Sequence, residues 1–363
     1  MKIIYIVDQP RLYGSEKHVL SLILNLSKNN NVSLVALAKG KLLDILKKEN
    51  ISYTVINTGW FPDKNLKYLI YLIKYSNNTI FHGHQPKAIF WGSILSWYYK
   101  KIFISTIHSL PQTNARSHTN ILKKLATYLF HFTIKNIAEL LSCKVIYLSK
   151  FSFSKSIFKY KSIIISNWIE TIPDSLLLKK EFDPNCIKLI SVGSITYNKG
   201  HDRVIDALGF LKLKNWELTI VGDGTPEFIS DLKQKCVKYK IEKNVKILPY
   251  DCDIFKKLGQ FDGFILFSRG ETFGLVYIEA MIWGLPIIAW DIPIIKEIIP
   301  SGNIIINNTN DFSKDFYKLY NSPSNYKIIS SRNREFALKH FEKSEIMNKY
   351  QKLYNEILSN HYS

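Results

Sequence analysis

Four cysteines in 363 residues, at positions 143, 186, 236 and 252, form no Cys-x-x-Cys pair and no cluster with histidine. That spacing supports neither a disulfide framework nor a zinc finger, which leaves buried free thiols in a reducing compartment. No run reaches the roughly 18 apolar residues that a membrane-spanning helix needs. The most apolar stretch, residues 285–299, is interrupted by Asp291, Lys296 and Glu297. The opening apolar run stops at Asp8, too early for a secretory signal, so it reads as a first buried strand. No complete Gly-x-Gly-x-x-Gly is present, which weakens a dehydrogenase reading, and no Asp-x-Asp is placed to hold a metal. With only 16 Gly and 12 Pro, and with 46% hydrophobic residues, the chain is globular rather than fibrous or disordered.

Acidic residues are also scarce, 30 against 49 Lys and Arg, for a formal charge of +19. The imbalance is local: residues 1–170 hold 23 basic and 7 acidic side chains, and the rest of the chain is close to balanced. An anionic partner of the first half is implied. Nucleic acid is the rival among such partners, but the basic residues are dispersed and no reader motif accompanies them, so no nucleic-acid partner is expected.

At this length two hydrophobic cores are the natural prior. Apolar runs alternate with amphipathic stretches at 3–7, 32–38, 53–57, 80–83, 103–108 and 145–149. The rhythm restarts at 188–192, 217–221, 245–248, 263–267 and 286–289. This β-α-β alternation predicts an α/β protein with two Rossmann-like, doubly wound parallel sheets facing across a cleft. Pro173 and Pro184 mark a polar linker between them. The expected domains are 1–170, 171–340, and a C-terminal helix over 341–363 that packs back on the first. Open parallel sheets take ligands at the carboxyl ends of their strands.

The sharpest signal is the segment from Ser268 to Met281, where a buried strand runs into a polar turn holding Glu271 and then into a helix carrying Glu279. Backbone N–H groups of Phe273, Gly274 and Leu275 would be uncapped donors at the positive end of that helix, suited to phosphate. Glu271 could reach sugar hydroxyls or the reacting centre, and Glu279 the hydroxyls of a ribose. Taken alone, two glutamates eight apart are more often a cap and a solvated side chain.

Here the sequence resembles the retaining GT-B glycosyltransferases of family 4 (glycosyl transferases group 1), whose hallmark is two glutamates separated by seven residues with Phe-Gly-Leu between. The resemblance extends over nearly the whole chain. It implies a metal-independent enzyme without a cofactor, a hexosyl- or N-acetylhexosaminyl-transferase. The donor would be a nucleotide-diphosphate sugar, most simply a UDP-sugar, and the reaction a front-face displacement. Glu271 would be catalytic, with Arg269 at a position that is often basic. Gly193, Lys199 and Gly200 match the family's phosphate loop, with Ser194 where an arginine is usual, and Lys199 would meet the diphosphate. Gly222 lies in the turn after the next strand. In the first half, Gly14 and Glu16 are similar to a Gly-Gly-x-Glu loop in which Tyr13 replaces the first glycine. There Gly14 would approach the donor phosphates, and Glu16 would stand on the acceptor side. His82 and His84 resemble a His-x-His at a strand end. They are expected to point to opposite faces and so not to share a metal, with His84 lining the acceptor side. His108 matches a Thr-x-His-Gly motif, whose histidine points at the reacting sugar.

The acceptor implied is a saccharide or a lipid-linked saccharide of cell-surface polysaccharide or lipopolysaccharide synthesis. Residues 97–101 and 121–130 mix lysines with apolar side chains, as helices lying on anionic membrane surfaces do. A cytoplasmic protein, peripheral on the inner face of the cytoplasmic membrane, is therefore expected. A nucleotide-sugar-binding protein of the same fold without turnover is the alternative that Ser194 and Tyr13 raise.

Overall fold

In the computed structural model the chain divides into two compact units. One is Met1–Asn114 with Ala126–Asn167 and Ser344–Ser363; the other is Ala115–Leu125 with Trp168–Lys343. The structure describes all residues except 13, 119, 171, 173–181, 212–214, 252, 310, 311 and 363. Tyr13, Cys252 and most of the expected linker, Pro173 included, lie outside the described residues. The short piece Ala115–Leu125 groups with the second unit, although the sequence reading placed it in the first.

The first unit is built on strands β1 (Lys2–Val7), β2 (Asn31–Ala36), β3 (Tyr53–Val55), β4 (Thr79–His84), β5 (Ile102–Ile107), β6 (Lys144–Tyr147) and β7 (Ser162–Ile164). Their order is β3-β2-β1-β4-β5-β6-β7, every pairing parallel. β4 and β5 are buried along their whole length, as strands covered on both faces must be. The helix Gly14–Leu26 buries Val19, Leu22, Ile23 and Leu26, one stripe at helical spacing. Chain order reverses between β1 and β4, the switch point at which doubly wound sheets open a crevice. The last helix, Lys343–Tyr362, adds fully buried Tyr350 and Tyr354 to this unit.

The second unit holds β8 (Ile187–Val192), β9 (Trp216–Val221), β10 (Val245–Leu248), β11 (Gly263–Leu266), β12 (Ile287–Trp290) and β13 (Ile304–Ile306). The order is β10-β9-β8-β11-β12-β13, again all parallel, with the switch between β8 and β11. One core joins Leu189, Ile220, Ile265, Phe267 and Ile288 of the sheet to Val204, Leu208, Phe312 and Tyr320 of the helices. β7 and β13 had no counterpart in the sequence reading: each is three residues at a sheet edge, too short to show a period.

Candidate functional site

In the second unit, the loops leaving β8, β9 and β11 are locked together at the carboxyl edge. Gly193 N–H donates to Val221 O (3.0 Å) and Ile195 N–H to Asp223 O (2.7 Å). A Cβ on Gly222 would lie 2.0 Å from Gly193 O, so only glycine lets these two loops meet. Arg269 N–H donates to Asn198 O (2.7 Å), and Asn198 Nδ2 to Gly270 O (2.9 Å). Into this frame Lys199 Nζ reaches Glu271 Oε1 at 2.6 Å, and the Ser268 hydroxyl donates to the same oxygen at 2.8 Å. Glu271 is 9% exposed, and the pair is largely shielded from water.

Directly after Glu271 comes the helix Leu275–Ile282. Its N-cap, Gly274, sits at φ +82°, with no side chain capping the first N–H groups. A left-handed residue that must also let a ligand close to the backbone is a glycine position. Phe273 is buried and packs edge-on against Phe341 at 5.7 Å, holding the turn in place. Glu279 stands half-buried one turn inside the helix.

Arg269 turns to Asp202, which it forks at 2.8 and 2.6 Å, while its guanidinium covers the Tyr197 ring at 3.6 Å. That bidentate pair lowers the Asp202 carboxyl despite partial burial. Arg203 covers the Trp290 ring at 4.1 Å. Arg116 donates to the Arg269 carbonyl. Ser194 is exposed.

In the first unit a cavity of about 380 Å³ opens at the switch point, lined among others by Asp8, Glu16, Gln85, His108, Asn114 and Lys135. Glu16 is 4% exposed; it accepts from the Ser15 hydroxyl (2.8 Å) and from Gln85 Nε2 (2.7 Å). Gln85 Oε1 in turn accepts the N–H groups of Asp8 (2.8 Å) and Gln9 (3.2 Å), with its own backbone at φ +73°. A left-handed glutamine immediately before a proline is strained, and such strain gathers at functional sites. Asp8 accepts from the N–H groups of Lys87 and Ala88 at the start of the helix Pro86–Tyr98. Burial nevertheless pushes its carboxyl up to about 6. Gly14 has open space where a side chain would be.

Behind the cavity lies a connected set of buried rings. His84 Nδ1 and His108 Nε2 are hydrogen bonded at 2.8 Å, and His82 joins Tyr354 through Nδ1 and Thr106 through Nε2, both at 2.7 Å. Tyr354 meets Tyr5 hydroxyl to hydroxyl at 3.0 Å. His18 bonds Asn167 at 2.6 Å and Tyr350 at 3.3 Å. Burial, first of all, holds His82 down at about 3 and His108 at about 4, and lowers His18 and His84 well below the ordinary histidine range. All four are neutral at pH 7.

The expectation that His82 and His84 point to opposite faces is corrected: residues two apart on a strand share a face, and their ring centroids are 4.2 Å apart. His18, His84 and His108 bring ring nitrogens within 4.8 Å of one another, a possible ligand set for a cation. As placed, though, the His84–His108 contact of 2.8 Å is a hydrogen bond. Two nitrogens on one tetrahedral zinc would stand roughly 3.3 Å apart. Asp251 and Asp253 do form an Asp-x-Asp, but their carboxylates are engaged by Lys257 (2.6 Å) and Lys256 (2.8 Å).

The structure thus gathers Gly193, Lys199, Gly222, Arg269, Glu271, Phe273, Gly274, Leu275 and Glu279 along the carboxyl edge of the second sheet. It gathers Glu16, His84 and His108 at or just behind the cavity of the first. Sequence reasoning missed Asp202, Gln85, Asp8, His18 and the two tyrosines of the last helix. None of them carries a local sequence signal; the strain at Gln85 shows only in its backbone angle.

Comparison with known proteins matches residues 177–336 to the model of "Glycosyl transferases group 1". An uncharacterized 41.2 kDa protein in the cps region of Klebsiella pneumoniae is 24% identical over 93% of this chain and 96% of its own length. The O-antigen biosynthesis glycosyltransferase WclY of Escherichia coli is 24% identical over 98% of this chain and 99% of its own. Among solved structures, HepE of Anabaena in complex with UDP superposes with a TM-score of 0.82 at 17% identity, covering 98% of this chain and 100% of that one.

Proposed function

We propose that the chain, whose residues 177–336 match the group 1 glycosyltransferase model and whose fold is GT-B, is a retaining hexosyl- or N-acetylhexosaminyl-transferase. It uses a UDP-sugar and acts on a saccharide or lipid-linked acceptor in cell-surface polysaccharide or lipopolysaccharide synthesis. The observation that carries this reading is the largely shielded Lys199–Glu271 pair directly before an uncapped helix terminus. HepE, solved with UDP and with UDP-glucose, supports UDP as the nucleotide, and WclY supports the polysaccharide setting.

Departure of a nucleoside diphosphate leaves positive charge on the sugar and negative charge on the phosphates. The phosphates meet Lys199 and the N–H groups from Phe273 to Leu275, donors already fixed before the bond breaks. In the free protein Lys199 is neutralised by Glu271. When the donor binds, Lys199 turns to the diphosphate, and Glu271 is released to the sugar hydroxyls. Glu279 takes the ribose. In this reading no protein carboxylate acts as a nucleophile: the leaving phosphate takes the acceptor proton, and the anomeric configuration is kept. His108 contributes to holding the sugar, and Glu16 to holding the acceptor. The diphosphate is neutralised by protein groups alone, without a metal.

The membrane is the second element of the proposal. On the helix Ile121–Leu141, Ile121 and Leu122 are 78% and 73% exposed, and Leu125, Leu129 and Phe130 also face water beside Lys123 and Lys124. Exposed apolar side chains interleaved with lysines suit an anionic lipid surface. Among the described residues no helix is long and apolar enough to cross a membrane, so the attachment would be peripheral. The test is a turnover panel of UDP-, GDP- and ADP-sugars in excess EDTA, with the anomeric configuration of the product read by NMR. Turnover of a UDP-sugar with retention is expected. A protein that neither binds nor turns over any of them would overturn the proposal.

A further inference from the structure

His108 lines the cavity of the first unit and makes one hydrogen bond among the described residues, from Nε2 to Nδ1 of His84 at 2.8 Å. Its Nδ1 is therefore the nitrogen left for a ligand. One proton lies between the two rings, and either ring can supply it, since each is a neutral imidazole with one N–H and one lone pair. The two assignments differ at the far side of His84, whose Nε2 is buried and has no hydrogen-bond partner. If His108 donates, His84 must carry its own proton on Nε2, leaving a buried N–H unsatisfied. If His84 donates, its Nε2 is a bare lone pair. Orphaned N–H groups are the rarer and costlier of the two.

The rings cannot easily escape the choice. His84 is enclosed by His82 at 4.2 Å, His18 at 5.6 Å and Tyr5 at 5.8 Å between centroids, and His18 meets His108 edge-on at 4.9 Å. His82 is already committed on both nitrogens, to Tyr354 and Thr106. It cannot take a proton from His84 without losing a bond.

We propose that His84 is a positioning residue that donates from Nδ1 to His108, fixing His108 with its proton on Nδ1. His108 then presents a hydrogen-bond donor, not a base, to the cavity. The ligand it suits is an oxygen acceptor, such as a sugar hydroxyl or ring oxygen. This ligand assignment rests on the transferase reading above; the tautomer itself does not.

Long-range proton–nitrogen correlation spectra of ring-labelled histidine in the whole protein at pH 7.5 decide the matter, with His108→Gln identifying the signal. The expected pattern is a protonated Nδ1 and a bare Nε2 on both His84 and His108. A protonated Nε2 on His108 overturns the proposal, whether or not any sugar is turned over. His84→Asn keeps an N–H near the Nδ1 position, and should leave the His108 pattern intact and kcat within about threefold. His84→Leu removes the donor and should mix the tautomers and lower kcat about tenfold at unchanged UDP affinity. Equal kcat for the Asn and Leu variants would count against the positioning role. Should the Leu variant fail to fold, the wild-type and Asn spectra still decide. An Nδ1-protonated His108 in a protein inert towards every nucleotide sugar would leave the tautomer standing and remove the transferase reading.

Discussion

Lowering the pH from 7.5 to 5.0 should unfold the first unit far more readily than the second. His18, His82 and His84 are at most 4% exposed and neutral, held below the ordinary range mainly by burial and further by one another. In the unfolded chain each takes a proton as pH falls through about 6.5, and in the folded chain it does not until far lower, so stability is present above 6.5 and lost below it. At pH 5.0 each such histidine costs about 2 kcal/mol, and His108, held at about 4, costs as much again, about 8 kcal/mol for the four. Asp8 works the other way: its carboxyl, raised to about 6, is protonated in the folded state first and returns about 1 kcal/mol at pH 5.0. Asp202 and Glu139 are held below their ordinary values, so they stay ionised in this window. The net loss of about 7 kcal/mol is comparable with the whole stability of many domains. Urea unfolding followed by intrinsic fluorescence should show the midpoint of the first unit falling by roughly 3 M. His82→Asn should reduce that shift by about a third. A midpoint unchanged or higher at pH 5.0 would refute the assignment of neutral buried histidines.

Glu271→Gln should lower transfer by about 10²–10³-fold while UDP affinity, read by calorimetry, stays within a few-fold, because the charge lost acts on the sugar rather than the nucleotide. Gly222→Ala sets a Cβ against the Gly193 carbonyl and should destabilise the second unit by about 1–3 kcal/mol in thermal unfolding, weakening UDP binding with it. Asp202→Ala strands the Arg269 guanidinium, whose Nε already lacks a partner. A loss of about 2–3 kcal/mol is expected, together with weaker UDP binding as the Ser268–Glu271 turn loosens. Replacing Ile121, Leu122 and Leu125 by Asn should abolish co-sedimentation with anionic vesicles and leave turnover of a water-soluble acceptor unchanged; undiminished co-sedimentation would exclude this helix as the attachment.

How much of this was legible follows from where each piece sits along the chain. The residues proposed for the donor side could be placed together from the sequence because three local segments carry them, around Gly193–Gly200, Gly222 and Ser268–Glu279. In each, a strand, a turn and a helix start are contiguous, so composition shows the chemistry and its place at the carboxyl edge together. The histidine–tyrosine set was opaque for the opposite reason. Its members come from residues 5, 18, 82–84, 106–108, 167 and 350–354, and each lone histidine is indistinguishable from a satisfied core residue until the sheet places β1, β4 and β5 side by side.

Ser194 shows the same limit from another direction. Read along the chain it looks like one missing cation, to be replaced by Arg269 or Arg203. In space Arg269 is committed to Asp202 and Tyr197, and Arg203 covers Trp290. Arg269 braces the turn that leads to Glu271, while Lys199, held at 2.6 Å by Glu271, is the cation that the proposed function has exchange its partner. A motif records which charges are near an anion site. Which of them is free to move onto the anion depends on who already holds it, and that is a property of the fold.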